Sequence, residues 1–146
     1  MEQNLCYSEL LMKDYSGISS EYTAISQYVY YNMVTDNKKI ANDFMKAARD
    51  EMTHLHLLGD TIIKLGGNPI FINEYGEYWN SSFVPYGCNI ADRLQLAIKG
   101  ELDAIYQYEL HAAMIQDPYI QKLLQKIIAD EKRHANMFQE DLASLC

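Results

Sequence analysis

Asp50-Glu51-Met52-Thr53-His54 recurs 80 residues later as Asp130-Glu131-Lys132-Arg133-His134, with Glu and His three apart in each copy. On an α-helix, positions i and i+3 lie about 60° apart around the axis, so each Glu-x-x-His aims a carboxylate and an imidazole the same way. Working outward, Glu21-x-x-Ala24-Ile25-x-Gln27-Tyr28 aligns with Glu101-x-x-Ala104-Ile105-x-Gln107-Tyr108 at the same offset of 80. One offset shared by two separate stretches describes a helical hairpin present twice. Two Glu-x-x-His pairs, joined by one glutamate from each of two further helices, can cage two metal ions inside a four-helix bundle.

The heights agree with that reading. The turn near Asp36 lies 15 residues from Glu21 and 15 from Glu51, and Asp117 lies 16 from Glu101 and 14 from Glu131. At a rise of about 1.5 Å per residue, antiparallel packing brings all six side chains to mid-bundle. The expected fold is therefore all-α, a four-helix bundle of two duplicated hairpins joined by a long crossover.

Along the chain, a first helix is expected from about Ser8 to Val34, with Gly17 a weak point within it. Ile40, Phe44, Ala47, Ala48, Leu55, Leu58, Ile62 and Leu65 form the apolar stripe of a second helix, stopped by Gly66-Gly67. Asn89 caps a third helix, and Asp117-Pro118 starts a fourth whose stripe runs from Leu124 to Leu145. The expected organisation is one domain over residues 1–146: a hairpin from about 8 to 65, a crossover at 66–89 and a hairpin from about 90 to 145. The aromatics of the crossover (Tyr75, Tyr78, Trp79, Phe83, Tyr86) are expected to pin it onto the bundle.

Composition narrows the function classes. A net charge of -8 leaves no basic stripe for phosphates, so no nucleic-acid partner is expected. No stretch approaches the roughly 20 apolar residues of a membrane span, and the first residues do not resemble a signal peptide. Cys6, Cys88 and Cys146 are scattered and form no Cys-x-x-Cys pair. Reduced thiols in a cytoplasmic protein are the expectation.

Four carboxylates and two imidazoles suit first-row metals such as iron or manganese. Buried without cations, four glutamates cost many kcal/mol or neutralise by raised pKa values; two divalent ions balance them. The expected ligands are Glu51 and Glu131 as bridging carboxylates, Glu21 and Glu101 as terminal ones, with His54 and His134 each on one metal. Asp50 and Asp130 are placed to accept the ring N–H of the partner hairpin's histidine. Tyr28 and Tyr108, two turns past Glu21 and Glu101, can hydrogen-bond a ligand carboxylate or pack in the core. His56 faces away from His54, and His111, without a glutamate at i-3, is expected to be structural.

These residues resemble the ferritin-like superfamily and, within it, the rubrerythrin family and its erythrin-like relatives. The resemblance covers nearly the whole chain and places the family's metal ligands on Glu21, Glu51, His54, Glu101, Glu131 and His134. It implies a bundle that is often a homodimer, and reduction of hydrogen peroxide at a di-iron centre for protection against oxidative stress. The paired Cys-x-x-Cys motifs of a rubredoxin domain do not occur in these 146 residues, so an external electron donor such as a rubredoxin is expected. The glutamate that rubrerythrins carry one turn past the helix-three ligand is here Ala104. The symmetric six-residue set also resembles bacterioferritin, in which Met52 matches the residue that binds haem between subunits. It implies a ferroxidase or iron-binding alternative with dioxygen as oxidant. A dimanganese catalase and a non-catalytic metal-binding bundle are further alternatives.

Overall fold

The computed structural model describes residues 1–146. Five α-helices follow in order: α1 (Leu5–Ser16), α2 (Glu21–Val34), α3 (Lys38–Lys64), α4 (Ile90–Met114) and α5 (Pro118–Ala143). Each opens the same way. Asn4, Ser20, Asn37, Asn89 and Asp117 accept the backbone N–H three residues on, satisfying a donor that the helix itself leaves free.

The continuous helix expected from Ser8 to Val34 is instead two helices. The chain starts its first helix earlier, at Leu5, and breaks between Ser16 and Glu21. The cause lies in the crossover. Ser16 Oγ donates to the carbonyl of Ile72, and the Ile18 N–H, released from helical pairing, donates to Glu74 Oε1 at 3.0 Å. A Cβ on Gly17 would stand 2.5 Å from the Lys13 carbonyl oxygen, so the tight exit from α1 needs glycine. Ser20 then caps the restart, which makes Glu21 the first residue of α2.

The two pieces still form one column antiparallel to α3. At one end the Asn4 N–H donates to the Leu65 carbonyl at 3.0 Å, and at the other Asn32 Nδ2 donates to the Ala41 carbonyl at 2.8 Å. The main helix contacts are α2 on α3 and α4 on α5, the two hairpins of the repeat. The fold is thus a ferritin-like four-column bundle whose first column is broken.

The core divides into two apolar clusters. One gathers Leu11, Leu58, Ile62, Leu124 and Ile127; the other gathers Tyr28, Phe44, Leu94 and Phe138. In the second, the Tyr28 and Phe44 rings each lie 5.3 Å from that of Phe138, the offset spacing aromatic pairs prefer. Between the clusters sits a layer of buried glutamates and histidines. Leu145, expected in the α5 stripe, lies beyond the helix end and is exposed.

The crossover packs with only some of its aromatics. Phe71 stacks on Tyr15, Trp79 meets Tyr22 edge-on, and Trp79 Nε1 donates to Thr23 Oγ1 at 2.9 Å. Tyr75 and Tyr78 do not pin it; they are 74% and 79% exposed, beside a turn at Gly76 that carries them off the bundle. No helix is long and apolar enough to cross a membrane, and the three cysteines are exposed and unpaired.

Candidate metal centre

Helical spacing delivers the central layer. Glu51 and His54 on α3, Glu131 and His134 on α5, Glu21 on α2 and Glu101 on α4 are all buried, and all turn inward between the two apolar clusters. They form two overlapping groups, Glu21-Glu51-His54-Glu131 and Glu51-Glu101-Glu131-His134, each offering ligand atoms within 4.8 Å of one another.

The two groups share Glu51 and Glu131. His54 Nδ1 lies 3.2 Å from Glu131 Oε1 and 3.6 Å from oxygens of Glu21 and Glu51. His134 Nδ1 lies 3.1 Å from Glu51 Oε1, 3.6 Å from Glu101 Oε1 and 3.8 Å from Glu131 Oε1. Glu51 and Glu131 therefore approach both imidazoles, whereas Glu21 and Glu101 each approach one. Glu51 and Glu131 are thus common to both groups, and Glu21 and Glu101 each belong to one.

The other ring nitrogens face outward. His54 Nε2 meets Asp130 Oδ2 at 2.7 Å, and His134 Nε2 meets Asp50 Oδ2 at 2.8 Å, each pair crossing between hairpins. Arg133 reaches both aspartates, at 2.7 Å from Asp130 and 3.5 Å from Asp50. Partial burial pushes Asp130 upward, but hydrogen bonds from His54 and Arg133 outweigh it and hold the carboxyl below its usual range. The Tyr28 hydroxyl donates to Glu101, and the Tyr108 hydroxyl to Glu21, again across the hairpins. Burial, reinforced by the neighbouring carboxylates, pushes both phenols well above their usual pKa, so they stay protonated donors.

One polar atom on each of the six residues is buried without a hydrogen-bond partner: an oxygen on Glu21, Glu51, Glu101 and Glu131, and Nδ1 on His54 and His134. Six such orphans in one layer are costly unless something binds them. Burial, then repulsion from the other glutamates, pushes Glu51 and Glu131 well above the carboxylate range. Burial works against a charged His54, yet Glu131 and Glu21 push its ring up to about 11. In the protein alone, protons do the charge balancing. The donor set and its orphaned atoms fit a pair of divalent cations, which would take the place of those protons.

Several surrounding features are not visible in the repeat. Arg133 aligns with Thr53, so one member of the repeat lacks the cation. Asp14, buried on α1, meets His111 Nδ1 at 2.6 Å and accepts from Gln107 Nε2 at 2.7 Å, tying α1 to α4. Burial raises the Asp14 pKa despite these partners. His111 thus ties two helices together, outside both groups. His56 and Met52 are exposed on α3.

A four-column bundle with four carboxylates and two imidazoles in its middle layer defines the ferritin-like dinuclear class. Comparison with known proteins narrows it. The chain belongs to the rubrerythrin family, whose sequence model matches residues 15–142. It is similar to a probable manganese catalase of Clostridium acetobutylicum, 22% identical over 161 residues that cover 96% of this chain and 72% of the relative. It is also similar to the bacterioferritin of Mycobacterium bovis, 27% identical over 131 residues covering 86% of this chain and 78% of the relative. Among solved structures, the manganese catalase KatB from Anabaena superposes with a TM-score of 0.94 at 24% identity, covering 99% of this chain and 74% of that one. At that identity the superposition speaks for the fold.

Proposed function

We propose that this chain is an oxidoreductase that consumes hydrogen peroxide at a dinuclear metal centre held by Glu21, Glu51, His54, Glu101, Glu131 and His134. The observation that carries it is the set of six buried, unpartnered, inward-facing donor atoms. When bound, the ions supply Lewis acidity and redox equivalents. The protein's own residues do the rest. Glu51 and Glu131, common to both groups, would serve both ions, and the tyrosine hydroxyls fix the orientation of Glu21 and Glu101. The apolar clusters above and below keep bulk water out. Asp50 and Asp130 hold the Nε2 protons, leaving each Nδ1 free as the ligand.

Iron with an external electron donor is the first reading, as a peroxidase of rubrerythrin type. Manganese, disproportionating peroxide without a donor, is the second, favoured by the similarity to a manganese catalase over 96% of the chain. Anaerobic loading with Fe(II) or Mn(II), followed by stopped-flow mixing with peroxide or dioxygen, separates them. Fast oxidation of the ferrous protein by peroxide, restored by added reductant, supports the peroxidase. Dioxygen release by the manganese form alone supports the catalase. Preference for dioxygen with iron accumulating as mineral moves the assignment to iron storage, and no stoichiometric uptake of either ion ends it.

The aspartates give a separate check. Replacing Asp50 and Asp130 by Asn keeps the shape but weakens the hold on each ring, and metal affinity is expected to drop about 10–100-fold. Competition against a chromophoric chelator reads the change directly. Unchanged affinity would show that the two contacts do not orient the ligands.

A further inference from the structure

Gly100 stands in the middle of α4, directly before Glu101, where glycine costs about 1 kcal/mol relative to alanine. The other glycines have local reasons. Gly66, Gly76 and Gly87 have positive φ, and a Cβ on Gly17, Gly59 or Gly67 would meet an atom at 2.5, 3.1 or 2.0 Å. Gly100 has neither reason. A Cβ there would meet nothing closer than Gln27 Oε1, at 4.0 Å across the gap to α2. Neither backbone conformation nor packing asks for the missing side chain.

What lies beside Gly100 is a cavity of about 290 Å³ between α2 and α4. Its inner wall includes Glu21, Glu51, Glu101 and Glu131, all buried; its outer wall includes Ser19, Lys99 and Asp103, all exposed. It therefore runs from solvent to the carboxylates. Small side chains line it midway: Gly100 and Ala104 sit one turn apart on α4, with Ala24 on α2. The facing amide is held in place, since Gln27 Nε2 donates to the Tyr31 hydroxyl at 3.2 Å and that hydroxyl donates to the Pro85 carbonyl. Gln27 Oε1 accepts no hydrogen bond from the protein and faces the space over Gly100. At the mouth, Lys99 and Asp103 pair at 2.6 Å and cancel each other's charge.

We propose that this gap is the entry shaft of the metal centre and that Gly100 sets its bore. Resting on the dinuclear reading above, the inference adds which molecules pass. The carboxylates at its inner end suit divalent cations, which bind there in exchange for protons. The acceptor at Gln27 suits a small neutral molecule with an O–H donor, hydrogen peroxide being of that class. A Cβ on Gly100 stands in the passage, 4.0 Å from Gln27 Oε1 and with no closer neighbour.

The test uses Co(II) as probe, mixed by stopped flow with the metal-free protein and followed by its ligand-field absorption. Wild type is compared with Gly100→Ala and Gly100→Leu, and with Leu102→Phe, which adds bulk to an exposed face of α4 that does not line the shaft. All four are expected to reach the same final stoichiometry. Uptake by the Leu variant is expected to be slower by about tenfold or more, as when access governs a rate, the Ala variant intermediate and Leu102→Phe unchanged. A purely structural role for Gly100 changes the unfolding temperature but not the filling rate. Filling of Gly100→Leu as fast as wild type overturns the inference while leaving the dinuclear reading standing. If that variant does not fold, Gly100→Ala decides: uptake no slower than wild type overturns the inference too. No uptake by wild type removes the dinuclear reading, and the shaft with it.

Discussion

Replacing both Glu51 and Glu131 by Gln is expected to abolish dinuclear metal binding and, in the same molecule, to stabilise the metal-free bundle. The two effects have one cause. These are the glutamates that approach both imidazoles, so each lost carboxylate is lost to both metal positions. Bridging ligands cannot be spared one ion at a time. Binding is expected to fall beyond detection, not to half occupancy, because a neutral amide oxygen is a poor substitute for a carboxylate between two cations.

The stability change has the opposite sign. In the metal-free protein the two side chains are buried within reach of two more glutamates, and both pKa values are driven up by burial and then by that repulsion. Glutamine has nearly the same shape and no charge to bury. Replacing buried ionic groups by well-packed apolar ones of similar volume is often neutral or stabilising by about 1–4 kcal/mol, and the isosteric amide is expected toward the lower end of that range. For a chain of this size, each kcal/mol corresponds to roughly 2–4 °C in the unfolding temperature. Calorimetry of metal-free wild type and variant, with metal analysis on the same samples, checks both. Retention of one ion per chain would show that Glu51 and Glu131 do not bridge. A less stable metal-free variant would show that the two carboxyls give the layer more through their hydrogen bonds than their burial costs.

What could be read from the sequence, and what could not, divides by the range of the interactions. The six side chains converge because each Glu-x-x-His is a contact within one helical turn, and because equal arm lengths put the pairs at one height. The crossed contacts of Asp50 with His134 and Asp130 with His54 follow from the same repeat. The break between Ser16 and Glu21 was not legible, because it is held by Ile72 and Glu74, both 56 residues from their partners. Asp14 and His111 meet across 97 residues with no motif to announce them. Tyr75 and Tyr78 look like anchors by residue type, yet the Gly76 turn carries them into solvent. Gly100 lies inside α4, and nothing in the sequence marks its meaning, which needs the empty space beside it.

Loading the protein with divalent metal is expected to raise its unfolding temperature by roughly 10 °C at free metal about a thousandfold above Kd, where linkage supplies about 4 kcal/mol. The gain should widen as pH rises. Without metal, His54 titrates near its ordinary 6.5 when unfolded but is pushed up to about 11 when folded. Its contribution to stability is fully present below about pH 6.5 and lost as pH climbs toward 11. Glu51 and Glu131, raised above their ordinary 4.5, act in the same sense: the fold favours their protonated forms, so stability is lost once pH passes that value. Bound cations replace those protons, and binding must release them, so affinity grows with pH while the metal-free protein weakens. Thermal unfolding of both forms between pH 6 and 9 should therefore give two diverging curves, the metal-free one falling. Parallel curves would mean that ions and protons do not compete for the same six atoms, and the charge-balance argument for the central layer would fail with them.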